Sequence, residues 1–218
     1  MLDEIFVTGC DENTEWMLPW FIHNYKKYNN TPIVIVDFGM SVKSREWCKD
    51  NFHKVIDIVK MSNVRSWFMK PGAMIVASEL SKKTCWIDTD CEVLGDISSI
   101  FNYTEPNKLS MCEDKPWIKR RNELWHNSGV VAFEGLPKIL HAWDTQCAVN
   151  QIVGDQEVLH FMLKDPMLKM MNVITMPNKY NCLRLQIEDG MDIPDKLIMH
   201  WTGPKGKAII KEKMNEEN

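Results

Sequence analysis

The sequence predicts an α/β fold: a single domain with a mostly parallel central sheet flanked by helices. Three observations lead there. Over residues 1–100, strand-like apolar runs alternate with segments of helical period, which is the pattern of a parallel sheet covered on both faces. Acidic residues stand just beyond several of those runs, at Asp11, Asp37 and Asp88. The composition is 44% hydrophobic and 26% charged over 218 residues, long enough to bury a full core without disulfides or a structural metal.

Ile5-Phe6-Val7 is the first strand. Asn13 or Thr14 caps a helix through about Tyr28, with Pro19 near its first turn and Trp16, Trp20 and His23 or Asn24 along one side. Ile33 to Val36 is a second strand that ends at Asp37, and an amphipathic helix from Ser41 to Asn51 leads to a third strand from Val55 to Val59. Pro71 opens a helix through about Leu80, and Thr84-Cys85-Trp86-Ile87 is a fourth strand that runs straight into Asp88. Strands at Lys108 to Cys112, Gly129 to Phe133 and Met171 to Thr175 follow, with helices near Leu136 to Val149 and Asp155 to Leu163. Leu197-Ile198-Met199 is a last apolar strand. One domain over residues 1–210 accommodates these elements, and 211–218 reads as a charged tail or linker.

Several classes of protein are disfavoured. Net charge is −4 and the basic residues are scattered, apart from Lys119-Arg120-Arg121 and the pair Lys205 and Lys207, so there is no continuous basic face for nucleic acid. The apolar runs Ile33 to Val36 and Ala73 to Ala77 are too short to span a bilayer. Seven cysteines without a C-x-x-C pair read as reduced thiols. Sequons occur at Asn29 and Asn102 and carry little weight at that length. The expectation is a cytoplasmic chain or a domain of a longer protein.

Asp88-Thr89-Asp90 carries the chemistry. In extended geometry its two carboxylates point to one face, and hard oxygen ligands there suit Mn²⁺ or Mg²⁺ together with substrate phosphates. Taken alone, the same triplet is a solvated turn. Its flanks favour a site: Trp86 and Ile87 precede it, while Val93, Leu94, Ile97, Ile100 and Phe101 resume burial at once. Carboxylates pinned between buried segments need compensating charge. His200 can supply a nitrogen ligand to the same metal, and Lys205 a point charge for a diphosphate.

With these residues in view, the chain resembles the GT-A (Rossmann-like) glycosyltransferases, and within them the family-8-like retaining enzymes related to glycogenin and bacterial galactosyltransferases. Its overall look is similar to small glycosyltransferase domains of large algal viruses. The resemblance runs along Phe6-Val7-Thr8-Gly9, Trp86-Ile87-Asp88-Thr89-Asp90, Asn127-Ser128-Gly129-Val130, Gly154-Asp155-Gln156 and His200-Trp201-Thr202-Gly203-Pro204-Lys205. It implies a nucleotide-binding half over about residues 1–100 and an acceptor half over about 101–210.

By that resemblance Asp88, Asp90 and His200 are metal ligands, and Lys205 and the Gly203 backbone contact a diphosphate. Thr8, Gly9, Cys10, Asp11 and Asp37 form the nucleoside pocket, Lys70 reaches the donor, and Thr89 belongs to the same site. Asn127, Asp155 and Gln156 surround the transferred sugar. The implied reaction moves a hexose or deoxyhexose from a UDP-sugar to a hydroxyl of a glycan or glycoprotein acceptor, with retention. Asp155 is a better nucleophile than Gln156, and the resemblance favours a short-lived ion pair over a covalent step. The closing motif lacks the Lys-Pro-Trp ending usual in the family. Trp67, Trp117 and Trp125 are candidates to stack on acceptor sugars. Two other readings remain open, a metal-dependent nucleotidyltransferase and a sugar-nucleotide-binding domain without turnover. Against the first, the loop Gly9-Cys10-Asp11-Glu12 is acidic where such enzymes place positive charge.

Overall fold

The computed structural model describes residues 1–52, 55–57, 65–150 and 153–216. β1 (Leu2–Cys10) is followed by a 3-10 turn and α1 (Leu18–Tyr28), then by β2 (Ile33–Asp37), α2 (Val42–Asn51) and β3 (Val55–Asp57). α3 (Lys70–Ser78) leads to β4 (Ser81–Ile87), β5 (Cys91–Val93), β6 (Leu109–Glu113), α4 (Lys115–Arg121) and β7 (His126–Glu134). Three helices come next, α5 (Lys138–Val149), α6 (Asp155–Met162) and α7 (Pro166–Asn172). The chain then runs through β8 (Val173–Met176), β9 (Cys182–Leu183), α8 (Arg184–Glu188), β10 (Ile198–His200) and α9 (Gly203–Glu216). Ile58 and Val59, expected at the end of the third strand, lie outside the described residues, as do Glu217 and Asn218.

Local chemistry sets most boundaries. Pro19, Pro71, Pro116 and Pro166 occupy first-turn positions of α1, α3, α4 and α7, where the missing N–H would have no intrahelical partner. Ser41 caps α2 by accepting from the Ser44 N–H. Thr14 does not cap α1 as expected: its hydroxyl donates to Asp11 at 2.8 Å, a 3-10 turn follows it, and the α-helix begins at Leu18.

Seven strands form one sheet in the order β3-β2-β1-β4-β7-β6-β8. All neighbours are parallel except β7, which runs against both β4 and β6. Side chains alternate across the sheet as a period of two requires. Ile5, Val7, Trp86, Val131 and Phe133 pack on one face with α3, α5 and α6. Phe6, Ile35, Cys85, Ile87, Val130 and Ala132 pack on the other with α1 and the second sheet. That second sheet, β5-β10-β9, was not anticipated, because β5 and β9 are only three and two residues long and show no periodicity.

The segment 211–216, expected to belong to a charged tail or linker, is helical. It continues α9, which buries Ile210, and Lys213 donates to Glu92 at 3.0 Å. All seven cysteines are buried free thiols. Among the described residues no helix is long and apolar enough to cross a membrane.

Asn29, one of the two sequons, is buried and its amide is spent inside the fold. It donates to Tyr25 and Gly95 carbonyls, both at 3.2 Å, and accepts from the Ile97 N–H at 2.9 Å, tying the end of α1 to the turn after β5. Asn29→Ala therefore leaves buried backbone groups unpaired, at a cost of about 1–3 kcal/mol. A lower urea midpoint with an unchanged slope is the expected result in equilibrium unfolding.

Candidate active site

The site forms where several chain ends meet at one edge of the large sheet. β1 ends at Cys10 and β4 at Ile87. Because β7 is reversed, its first residues arrive at the same edge: Ile87 lies opposite Val130, and the Asp88 N–H donates to the Gly129 carbonyl at 2.8 Å. β6 ends there too, with Glu113 opposite His126, which brings Asp114 alongside. The small sheet closes the other side. His200 pairs with Cys91, and the Trp201 N–H donates to the Asp90 carbonyl at 2.9 Å. A cleft of about 480 Å³ results, within the range of small-ligand sites.

At its centre His200 Nε2 lies 3.1 Å from Asp90 Oδ1 and 4.0 Å from Asp88 Oδ2. Asp88 Oδ1 also accepts from the Trp86 indole N–H at 2.6 Å. Lys70 is buried between acids, with Nζ 3.0 Å from Asp88 Oδ1 and 3.1 Å from Asp155 Oδ2, and it donates to the Ser128 carbonyl at 3.2 Å. Ser128 Oγ donates to Asp155 Oδ2 at 2.8 Å.

These contacts govern the charges. Burial works against the Lys70 ammonium, yet Asp155 and Asp88 outweigh it and raise its pKa. Asp88 is held above the ordinary carboxylate range by burial, Lys70 notwithstanding, with Asp90 and Asp155 adding repulsion. Asp90 moves the other way: burial pushes it up, but the adjoining His200 pulls it down further. His200 is correspondingly raised, since Asp90 overcomes the effect of burial. Two carboxylates and an imidazole nitrogen converging in a buried cleft fit a divalent cation that prefers oxygen and tolerates nitrogen. Cys91 Sγ lies in the same cluster, with donor atoms of Asp90, Cys91 and His200 all within 4.8 Å of one another. Burial keeps that thiol protonated and it packs in the core, so it is a poor ligand for such an ion.

The cleft brings together Gly9, Cys10, Lys70, Asp88, Thr89, Asp90, Asn127, Asp155, Gln156, His200 and Gly203 of the residues singled out in the sequence. Four others do not line it. Thr8 is wholly buried. Asp11 stands behind the cleft-lining Thr14 and Ser66, accepting from both hydroxyls at 2.8 and 2.9 Å. Asp37 accepts from the Gly39 and Met40 N–H groups at 2.7 and 2.6 Å and pairs with Arg45, so it shapes the turn after β2. Lys205 is exposed on α9, and Lys207 lines the cleft instead. Positions two apart on a helix lie on nearly opposite sides, which is why only one of the two lysines faces in.

Trp67 and Trp117 line the cleft. Trp125 does not: it is buried between Trp117, with ring centroids 5.5 Å apart, and His160, at 3.4 Å. Asp114 and Asn181 were missed, and Ser128 and Lys207, though present in a motif and a basic group, carried no assigned role. Asp114 carried the same signal as Asp88, a carboxylate just past a strand, whereas nothing around Asn181 marked it.

No protein-family model matches this sequence, and no curated protein matches it. Solved structures do. The galactosyltransferase LgtC, in complex with donor and acceptor sugar analogs, aligns with a TM-score of 0.66 at 14% identity over 97% of this chain and 94% of that one. GlyE, a glycosyltransferase of Streptococcus pneumoniae TIGR4, aligns at 0.66 with 15% identity over 100% of this chain and 64% of its own. A glycosyltransferase involved in the glycosylation of the major capsid of PBCV-1 aligns at 0.60 with 14% identity over 98% of this chain and 99% of that one. The chain has the GT-A glycosyltransferase fold.

Removing the cation that neutralises Asp88 and Asp155 leaves buried charge uncompensated. Lys70→Met is expected to cost about 3–5 kcal/mol of stability, read as a fall in denaturation midpoint. An unchanged midpoint would contradict the electrostatic role assigned to Lys70.

Proposed function

We propose that this protein is a metal-dependent glycosyltransferase that moves a hexose or deoxyhexose from a UDP-sugar to a hydroxyl of a glycan acceptor, with retention. The convergence of Asp88, Asp90 and His200 beside the amides of Asn127 and Gln156 carries the reading. Asp88, Asp90 and His200 would hold Mn²⁺ or Mg²⁺, which supplies positive charge to a leaving diphosphate without proton transfer.

The chain's own residues do the rest. Gly9 and Cys10 offer backbone and a small side chain at the end of β1 for the nucleoside. The diphosphate is assigned to the start of α9, where Thr202, Gly203 and Lys207 line the cleft. Unpaired N–H groups and the positive end of a helix dipole favour an anion there. Gly203 has φ +75°, a conformation that lets the chain turn sharply from β10 into that helix.

Asn127, Asp155 and Gln156 are assigned to the sugar. Gln156 Oε1 accepts from Asn127 at 2.8 Å and from the Ser128 N–H at 3.2 Å, and its amide nitrogen donates to Asp114 at 3.0 Å. An amide so committed is a fixed polar surface, and an amide oxygen is a weak nucleophile. Asp155, ion-paired with Lys70, offers fixed negative charge for the positive charge that grows on the sugar as its bond to the diphosphate breaks. An acceptor hydroxyl then attacks from the face the diphosphate leaves and gives its proton to a departing phosphate oxygen. Trp67 and Trp117 are the rings available to stack on the acceptor.

UDP release from a panel of UDP-sugars, with and without Mn²⁺, tests this reading. Turnover should stop with a chelator, and Asp88→Ala or Asp90→Ala should lower it by at least about 10²-fold while far-UV circular dichroism stays unchanged. Equal rates in chelator and in both variants would remove the metal site. Pyrophosphate release from a nucleoside triphosphate would point instead to nucleotidyl transfer.

Gly129 gives a second check. A Cβ at that position would overlap the His200 ring, so only glycine lets β7 lie against the imidazole. Gly129→Ala should displace His200 and weaken Mn²⁺ binding about 10–100-fold in a titration followed by electron paramagnetic resonance. Unchanged affinity would mean that His200 is not a ligand.

A further inference from the structure

We infer that Asn181 is a positioning residue that orients the His200 imidazole and the Asn127 amide together, through one hydrogen-bonded chain. The inference rests on the function proposed above, because it concerns the residues assigned there to the metal and the sugar.

The direction of every bond in the chain follows from which groups can only donate or only accept. Asp114 Oδ2, a carboxylate oxygen, faces Asn127 Nδ2 at 3.1 Å. At the other end of the same amide, Asn127 Oδ1 accepts from the Gly129 backbone N–H at 2.9 Å, which can only donate. Asn127 is thus oriented from both sides. Its Oδ1 also meets Asn181 Nδ2 at 2.8 Å, so the nitrogen of Asn181 is the donor there. Asn181 Oδ1 is then left facing His200 Nδ1 at 3.0 Å, and that contact is a hydrogen bond only if Nδ1 carries the proton.

The proton on Nδ1 leaves Nε2 to face Asp90 and Asp88 with its lone pair once the ring is neutral. Flipping the Asn127 amide would set like atoms against each other at Asp114, Gln156, Gly129 and Asn181, and flipping the Asn181 amide would set oxygen against oxygen at Asn127. Asn181 is wholly buried and immediately precedes β9, whose parallel pairing with β10 sets Leu183 opposite His200. A partner of this kind commonly fixes the tautomer of a ligating histidine. Here the same side chain reaches the sugar-facing amide as well, so one residue couples the two halves of the site.

Two substitutions separate the roles. Asn181→Asp keeps an acceptor for His200 Nδ1 but loses the donor to Asn127, and Asn181→Leu loses both. Asn181→Asp should bind Mn²⁺ within about threefold of the parent while kcat for UDP release falls about 10–100-fold. Asn181→Leu should lose about 10–100-fold in Mn²⁺ affinity as well. Long-range ¹H–¹⁵N spectra of the parent should show a slowly exchanging Nδ1–H on His200, kept in Asn181→Asp and lost in Asn181→Leu.

Equal Mn²⁺ affinity in the parent and both variants would overturn the inference. So would equal losses in the two variants, which would indicate a merely structural residue, and so would a rapidly exchanging Nδ1–H in the parent. If Asn181→Leu fails to fold, Asn181→Asp and the parent spectrum still decide. The spectrum needs neither metal nor substrate, so a parent that binds no Mn²⁺ and releases no UDP refutes the proposed function and leaves the hydrogen-bonded chain to be judged by exchange.

Discussion

Lys70 holds the site together. Its ammonium lies against Asp88, Asp155 and the Ser128 carbonyl, which belong to the end of β4, the start of α6 and the start of β7. Without that charge the carboxylates would be buried in mutual repulsion, and the three segments could not approach as they do. The lysine gains as much as it gives, since the acids compensate for its own burial. Its position follows from α3, whose first turn contains Pro71 and sets Lys70 at the sheet edge where the strands end.

Two features of backbone topology bring the other groups to Lys70. Reversing β7 puts Asn127 and Ser128 beside Asp88, where a parallel strand would have carried them to the far edge of the sheet. The small sheet pairs β10 with β5 and so sets His200 next to Asp90 across more than a hundred residues of chain. Each is a backbone pairing with specific register, so the side chains are placed by rigid elements more than by loops. That suits chemistry that depends on fixed charges and oriented dipoles.

Polar groups buried in the cleft satisfy one another almost completely. Asp114, Asn127, Gln156 and Asn181 form a closed set of donors and acceptors that ends on His200. Such a network is costly when partly broken and rigid when complete. Gly129 belongs to the same economy of space, because the imidazole occupies the volume that any side chain there would need.

The alternation of apolar runs with helical periods was enough to determine an α/β fold, and the strands from Ile5, Ile33, Thr84 and Gly129 all appear within a few residues of where the pattern put them. Asp88-Thr89-Asp90, followed by a distant apolar strand ending in His200, was also legible, since local hydrophobicity marks where a strand stops and a polar side chain emerges. What the sequence could not contain was distance. Asp11 and Asp37 follow strands just as Asp88 does, yet their carboxylates are consumed by neighbouring hydroxyls and N–H groups. Lys205 and Lys207 differ only in which side of a helix faces the cleft, and Asn181 matters only because β9 lies along β10. Pairing between short strands leaves no periodic trace, and a side chain's partners depend on register and helix rotation. Both were decided by tertiary packing alone.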